Sequence, residues 1–277
     1  LTLVYLPHLD YNLQRKGTSN LQGIAADLAE IDALLQDLVL FYEERGAQVV
    51  ILSEYGITDA DQPVHINRVL RQNGYITVKN ELGTETLDTG TCRAFAVADH
   101  QIAHVYIQNP ADIPPVKQLL QDTPGIDLVL DEQGKKQHHI NHQRAGELVA
   151  VADKHSWFTY YFWLDDAKAP DYARTVDIHR KPGYDPVEMF ADPKIKLLPL
   201  KVGSILLKKK LGFRYLMDII PLDATLVKGS HGRLPESQDD WPVFMTRKEQ
   251  PALPETISAP DVYHLLMEHV LRQEQTV

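Results

Sequence analysis

Cysteine is almost absent from this chain of 277 residues, which contains only Cys92. A single cysteine excludes a disulfide framework and any zinc site built on paired cysteines. No apolar run approaches the roughly 18 residues that a membrane-spanning helix needs, so we predict no membrane partner. Basic residues are also scarce, since 28 Lys and Arg stand against 38 Asp and Glu, a net charge of −10. Nucleic-acid affinity comes from basic side chains on phosphates, so we predict no nucleic-acid partner.

The remaining composition is that of an ordinary globular protein. Apolar residues make up 44% of the chain and charged residues 24%, which excludes disorder as a description of the whole chain. The first residue is Leu1, and it falls inside an apolar run over residues 1–6 that is typical of a buried strand. We therefore expect either that residues before Leu1 were removed or that this chain is a piece of a longer protein. No targeting signal can be read from such a start, and a cytoplasmic location is our expectation.

The amino-terminal part of the chain has the pattern of a βαβ unit. Residues 1–6 and 48–52 have the character of buried strands. Between them, apolar residues recur at steps of three and four from Ile24 to Tyr42, which predicts an amphipathic helix. Strands joined in this way lie parallel in one sheet. We therefore predict an α/β fold in which the two strands are neighbours and residues 24–42 form the crossover helix.

Polar residues follow both predicted strands. Asp10 and Gln14 are four residues apart, which places them on one face of a helical segment, and Glu54 and Tyr55 come directly after the second strand. His231 lies far away, in a glycine-punctuated loop. Ligands bind beyond the carboxyl ends of parallel strands, so these side chains are candidates for a divalent metal site. On their chemistry alone we favour the alternative, in which Asp10 caps a helix, Glu54 pairs with an arginine and His231 lines a loop.

The middle of the chain has a different pattern of predicted secondary structure. Short predicted strands surround one short helix, the strands at 93–98, 102–107, 127–131 and 147–152 and the helix at 114–121. This mixture predicts a small α+β subdomain inserted into the α/β body. The predicted organisation is an α/β core with the metal-site edge at 1–84, the insert at 85–165 and a return to the core at 166–277.

Histidines elsewhere in the chain have simpler interpretations. His100 falls between the first two strands of the insert and is interpreted as a turn residue. His138, His139 and His142 lie in a polar stretch, and the first two point apart on either a helix or a strand. We therefore interpret that stretch as a solvated loop.

Four segments together resemble a known family: YLPHLDYNLQRKG, VVILSEYGI, VKGSHGRLP and the closing helix APDVYHLLMEHVL. They resemble the type I phosphodiesterase/nucleotide pyrophosphatase family, which belongs to the alkaline phosphatase superfamily and includes phosphonoacetate hydrolases. The resemblance covers essentially the whole chain, the insert included. It implies an alkaline-phosphatase-like central sheet, mostly parallel and flanked by helices, and it implies hydrolysis of phosphate esters.

The resemblance also implies a set of metal ligands. The family motifs are Asp-x-x-x-His, Ser-Asp-His-Gly and Gly-x-His-Gly. The first Asp falls on Asp10 and the last His on His231, which would share one metal, and the second-motif pair falls on Glu54 and Tyr55, which would hold another. The first-motif His is replaced by Gln14. Two divalent metals are therefore implied, zinc or, given the oxygen ligands here, Mn²⁺ or Mg²⁺.

The family's nucleophilic Thr and one further metal-binding Asp would precede residues 1–6, so no catalytic nucleophile is assigned in this chain. We expect this chain to be the carboxyl-terminal part of a metal-dependent phosphodiesterase or nucleotide pyrophosphatase. The enzyme would act on a small-molecule phosphodiester or nucleotide. The aromatic residues of the insert would cover the site. The isolated piece would be inactive and would form homo-oligomers through an unpaired sheet edge. The altered ligands support an alternative, a pseudoenzyme of the same fold that binds ligands or assembles.

Overall fold

The chain is mixed α/β in the computed structural model, which describes residues 1–176, 178–247 and 253–271. The helices in these ranges are α1 (His8–Lys16), α2 (Leu21–Glu43), α3 (Ile66–Gln72), α4 (Ile113–Gln121), α5 (Glu132–Gln137), α6 (Leu198–Lys210) and α7 (Asp261–Leu271). None of these described helices combines the length and the apolar character needed to cross a bilayer. The strands are β1 (Val50–Leu52), β2 (Thr58–Asp59), β3 (Gln62–Val64), β4 (Val78–Glu81), β5 (Thr84–Leu87), β6 (Ala94–Asp99), β7 (Ile102–Ile107), β8 (Ile126–Leu130), β9 (Leu148–Ala152), β10 (Ser156–Phe158), β11 (Gly229–Ser230) and β12 (Phe244–Thr246).

The largest described sheet has four antiparallel strands in the order β6-β7-β9-β8. Strand β6 buries alternate residues, as expected of a strand with one face toward a core, and α4 packs against β8 and β9. The predicted hairpin, the predicted helix at 114–121 and both later strands of the insert are confirmed. The boundaries of the insert at 85 and 165 stay a prediction.

The core is dominated by the aromatic run that follows β9. Six aromatic side chains of this run are completely buried: Trp157, Phe158, Tyr160, Tyr161, Phe162 and Trp163. Large aromatic residues remove more apolar surface from water than any other type, so this run anchors the fold. For these six residues the expectation that the aromatics of the insert cover a substrate site is wrong, because none of them reaches the surface. For the half-buried Phe95 and Tyr106 of the insert it stays a prediction.

The predicted parallel βαβ unit is wrong. Residues 1–7 form neither helix nor strand, and β1 pairs antiparallel with β12. Among the described strands only β3 and β10 pair in parallel. A strand buried in a parallel sheet needs neighbours at its edges and helices over both faces, and the described residues supply neither for residues 1–6. Leu1 and Leu3 are accordingly exposed, and no mostly parallel central sheet forms in the described part of the chain.

The helix predicted over residues 24–42 is confirmed as α2, although it is no crossover between parallel strands. It begins after Asn20, whose side chain accepts the backbone N–H of Gly23 and so caps the helix. Ile24 is buried, and α2 packs against α1. This contact fixes α1, which carries the first residues of the candidate site.

Candidate functional site

Helix α1 places Asp10 and Gln14 on one face, as the spacing predicts. Asp10 lies in the first helical turn, where the helix dipole favours a carboxylate. Gln14 is only 1% exposed, and its Nε2 donates to the two carboxylate oxygens of Asp10 at 3.0 and 2.9 Å. Its Oε1 is also buried, and it accepts no hydrogen bond from the described residues. Buried polar atoms are normally paired, so this free acceptor marks a place suited to a cation or a water molecule.

Tyr55 joins this pair from the segment after β1. Its hydroxyl donates to Asp10 Oδ1 at 3.2 Å. Burial, reinforced by the nearby charge of Asp10, raises the pKa of the Tyr55 phenol well above its ordinary value. The hydroxyl therefore keeps its proton near pH 7 and acts as a hydrogen-bond donor to the carboxylate.

His231 completes the arrangement from the loop after β11. Its ring stacks on Tyr55 with centroids 3.7 Å apart and an interplanar angle of 9°. Burial lowers the pKa of His231, although the carboxylates of Asp10, Asp99 and Glu54 act in the opposite direction. The imidazole is therefore neutral near pH 7, the form in which a ring nitrogen can bind a metal.

The structure thus brings together four of the five predicted site residues. Asp10, Gln14, Tyr55 and His231 form one contact network, in which the most distant members are 231 − 10 = 221 positions apart. Glu54 is exposed and makes no hydrogen bond or ion pair with the described residues, although its charge acts on Tyr55 and His231. These residues do not share a sheet edge, because residues 1–6 form no strand.

His100 belongs to the same neighbourhood and was missed by the sequence interpretation. It is a turn residue, as predicted, in the two-residue loop between β6 and β7. Its ring also lies against His231, with centroids 3.9 Å apart, and against Tyr184 at 4.7 Å. A histidine at a hairpin position that favours glycine is the one sequence signal that points to this role.

The remaining histidine prediction concerns the polar stretch after α5. His138, His139 and His142 are all exposed, in agreement with a solvated loop. In the described residues no group of three or more His, Cys, Asp or Glu side chains is arranged to hold a metal ion.

The donor set at Asp10 fits one divalent cation better than two. It offers a carboxylate, a neutral imidazole and the free Gln14 Oε1, a mixture that suits a metal accepting oxygen ligands. Glu54 and Tyr55 offer less for a second ion, since Glu54 is exposed and the Tyr55 hydroxyl is a protonated donor to Asp10. A second metal at Glu54 and Tyr55 stays a prediction from the family resemblance.

The chain belongs to the type I phosphodiesterase/nucleotide pyrophosphatase family. The sequence model of this family matches residues 1–185, which is more than half of the chain. The matched region contains Asp10, Gln14, Glu54 and Tyr55, and His231 lies beyond it. Members of the family depend on divalent metals. Among curated proteins, no sequence matches the chain.

Several solved structures show a partial likeness. Murine ectonucleotide pyrophosphatase/phosphodiesterase 5 is 15% identical, with 79% of this chain and 56% of that chain covered and a TM-score of 0.39. An inactive form of the same mouse protein in complex with AMP is 17% identical, with 56% and 38% covered and a TM-score of 0.39. Phosphonoacetate hydrolase from Sinorhizobium meliloti 1021, in complex with phosphonoacetate, is 16% identical, with 52% and 33% covered and a TM-score of 0.30. The chain spans between a third and just over half of these proteins, and its family membership follows from the sequence match alone.

Proposed function

We propose that this chain is part of a metal-dependent hydrolase of phosphodiesters or nucleotides, with an alkaline-phosphatase-like fold in the complete protein. The observation that carries the proposal is the contact network that joins the Asp10 carboxylate to Gln14 and, through Tyr55, to the neutral His231 imidazole, with Gln14 Oε1 left without a hydrogen-bond partner among the described residues. These three groups would hold one divalent cation. When bound, that cation would neutralise negative charge on the phosphoryl oxygens of a substrate.

The protein's own side chains orient the carboxylate of Asp10. Gln14 donates to both of its oxygens and Tyr55 to one, so three hydrogen bonds hold the group in a fixed direction. Carboxylates that accept several hydrogen bonds keep further lone pairs, which remain available to a metal. The stacking of Tyr55 on His231 ties the imidazole to the same network.

The altered ligands favour a second candidate, a pseudoenzyme that binds phosphate esters without turning them over. The specific observation is that two of the three substituted side chains, Gln14 and Tyr55, donate hydrogen bonds to Asp10. Such donors satisfy the carboxylate in the absence of a metal, so the network is stable by itself.

A nitrophenyl phosphodiester assay with added Mn²⁺ separates the two candidates. Residues 1–277 alone should bind the phosphodiester in a Mn²⁺-dependent way but release no nitrophenol, because the resemblance assigns the nucleophile to none of them. The longer parent chain that the proposal implies should hydrolyse it, and turnover should fall by several orders of magnitude in Asp10→Asn. Asp32→Asn is the matched control, since Asp32 is exposed on α2 and contacts none of these residues.

Two outcomes would change the assignment. A parent chain that binds the phosphodiester without hydrolysing it would establish the pseudoenzyme. Turnover by residues 1–277 that disappears in Asp10→Asn would show that a nucleophile operates within them, and the assignment of the nucleophile outside them would be abandoned.

A further inference from the structure

The tip of the β6–β7 hairpin holds a histidine in a backbone conformation that histidine seldom adopts. His100 has a φ of 54°, in the left-handed region, and it is the first of the two loop residues, where such turns favour glycine. It is nevertheless buried, with 5% of its surface exposed. A strained residue persists only where the surrounding structure holds it in place, and it often marks a functional constraint.

The ring of His100 lies directly against His231. The two centroids are 3.9 Å apart with an interplanar angle of 35°, and the ring of Tyr55 lies 3.7 Å from His231 at 9°. Two rings cannot approach one face of a third ring so closely without colliding. His231 is therefore held between Tyr55 on one face and His100 on the other.

Further contacts fasten the hairpin tip to the loop of His231. The backbone N–H of Gln101 donates to the carbonyl of His231 at 2.9 Å, and Ser230 Oγ lies 3.5 Å from His100 Nδ1. From the other side, the N–H of Phe158 in the aromatic core donates to the carbonyl of His100 at 2.7 Å. The backbone of His100 is thus tied to the most deeply buried part of the molecule.

We propose that His100 is a positioning residue, which fixes the imidazole of His231 in the orientation that serves the ligand bound at Asp10. The role in ligand binding rests on the proposed function, whereas the positioning of the ring does not. The ring of His100 carries the effect, because it supplies the second face of the stack around His231. The family resemblance assigns no role to this position.

The direct test is the NMR signal of the His231 ring protons, measured at pH 8 without metal. Protons over the face of an aromatic ring resonate upfield, so His100→Gly should move these signals downfield and broaden them. His100→Asn, which also tolerates the left-handed conformation, should do the same and serves if the glycine variant does not fold. His100→Phe keeps a ring at this position and should keep the signals upfield. His139→Gly is the matched control, because His139 is an exposed histidine with a φ of 57°.

Mn²⁺ affinity gives the second readout. Loss of the His100 ring should weaken Mn²⁺ binding about tenfold, as loss of a group that orients a ligand does elsewhere, and His100→Phe should restore it. Unchanged His231 signals in both ring-deleting variants, or signals in His100→Phe that move downfield as far as in His100→Gly, would overturn the positioning role. If the wild-type chain binds no Mn²⁺, the proposed function fails, and the metal-free NMR measurement still decides the role of His100.

Discussion

Gln14 donates its side-chain amide to both carboxylate oxygens of Asp10, at 3.0 and 2.9 Å, from one turn further along α1. The contact is local, since both residues belong to the same nine-residue helix. By the family resemblance, a neutral amide here stands where a metal-binding histidine would be. Hydrogen bonds therefore hold this carboxylate without the help of a metal.

Replacing Gln14 by histidine tests whether this position is equivalent to the family ligand. Gln14→His should raise Zn²⁺ affinity at least about tenfold, because zinc binds imidazole nitrogen far better than a neutral amide. Isothermal titration calorimetry with Zn²⁺ measures the change, and Gln36→His on the exposed side of α2 is the control. Equal affinities for wild type and Gln14→His would show that residue 14 does not face the metal.

Stability should depend on pH through His65, at the start of α3. His65 Nδ1 lies 2.8 Å from Thr159 Oγ1, and burial, followed by the nearby charge of Arg68, lowers the pKa of His65 to about 4. The unfolded chain, with an ordinary histidine pKa of 6.5, binds more protons in this interval, so stability rises with pH. The contribution is complete above pH 6.5 and is lost as the pH falls to about 4, with a size of up to about 3 kcal/mol.

Urea unfolding at several pH values checks this prediction. His65→Phe removes the titrating group while keeping a ring against Tyr161, so it should reduce the pH dependence between pH 4 and 6.5. The rest of the slope comes from other buried histidines, above all His100, whose pKa burial lowers to about 3. The control is His155→Phe, at an exposed position. A slope in His65→Phe as steep as that of the wild type would mean that His65 does not contribute to it.

The side chain of Asn67 links α3 to the edge strand β6 by pairing with the backbone of Ala96, in the way that a neighbouring strand would. Its Nδ2 donates to the carbonyl of Ala96 at 2.7 Å, and its Oδ1 accepts the Ala96 N–H at 2.8 Å. Asn67→Leu should cost about 3 kcal/mol in the free energy of unfolding, because two buried backbone groups lose their partner. Asn141→Leu, at an exposed position, should change it by less than about 0.5 kcal/mol. A loss of similar size in both variants would show that the buried pairing is not what stabilises this edge.

The sequence predicts the elements whose pattern is local. The apolar spacing of α2, the hairpin of β6 and β7 and the strands β8 and β9 are all confirmed, because each depends on neighbouring residues and short-range pairing. Residues 1–6 show the limit of this reasoning. Their apolar character matches a buried strand, but a strand exists only where another strand pairs with it, and none of the described strands does.

Of the candidate site, too, only the part that depends on local spacing and motifs could be predicted from the sequence. The helical spacing of Asp10 and Gln14 could be predicted, and the family motifs suggested the approach of His231. The partner of His231 could not be predicted, because His100 stands 131 positions earlier and meets it only through packing of the hairpin tip. The exposure of Glu54 could not be predicted either. It depends on the path of the segment that follows β1, the strand paired with β12.

Titration of the chain with Mn²⁺, with the bound ions counted by electron paramagnetic resonance, decides whether Asp10, Gln14 and His231 hold a divalent cation. One ion should bind per chain, and Asp10→Asn and His231→Ala should each weaken its binding at least about tenfold, while Asp32→Asn leaves it unchanged. Absence of binding to the wild-type chain, or binding that survives both Asp10→Asn and His231→Ala, would show that these residues do not hold a cation.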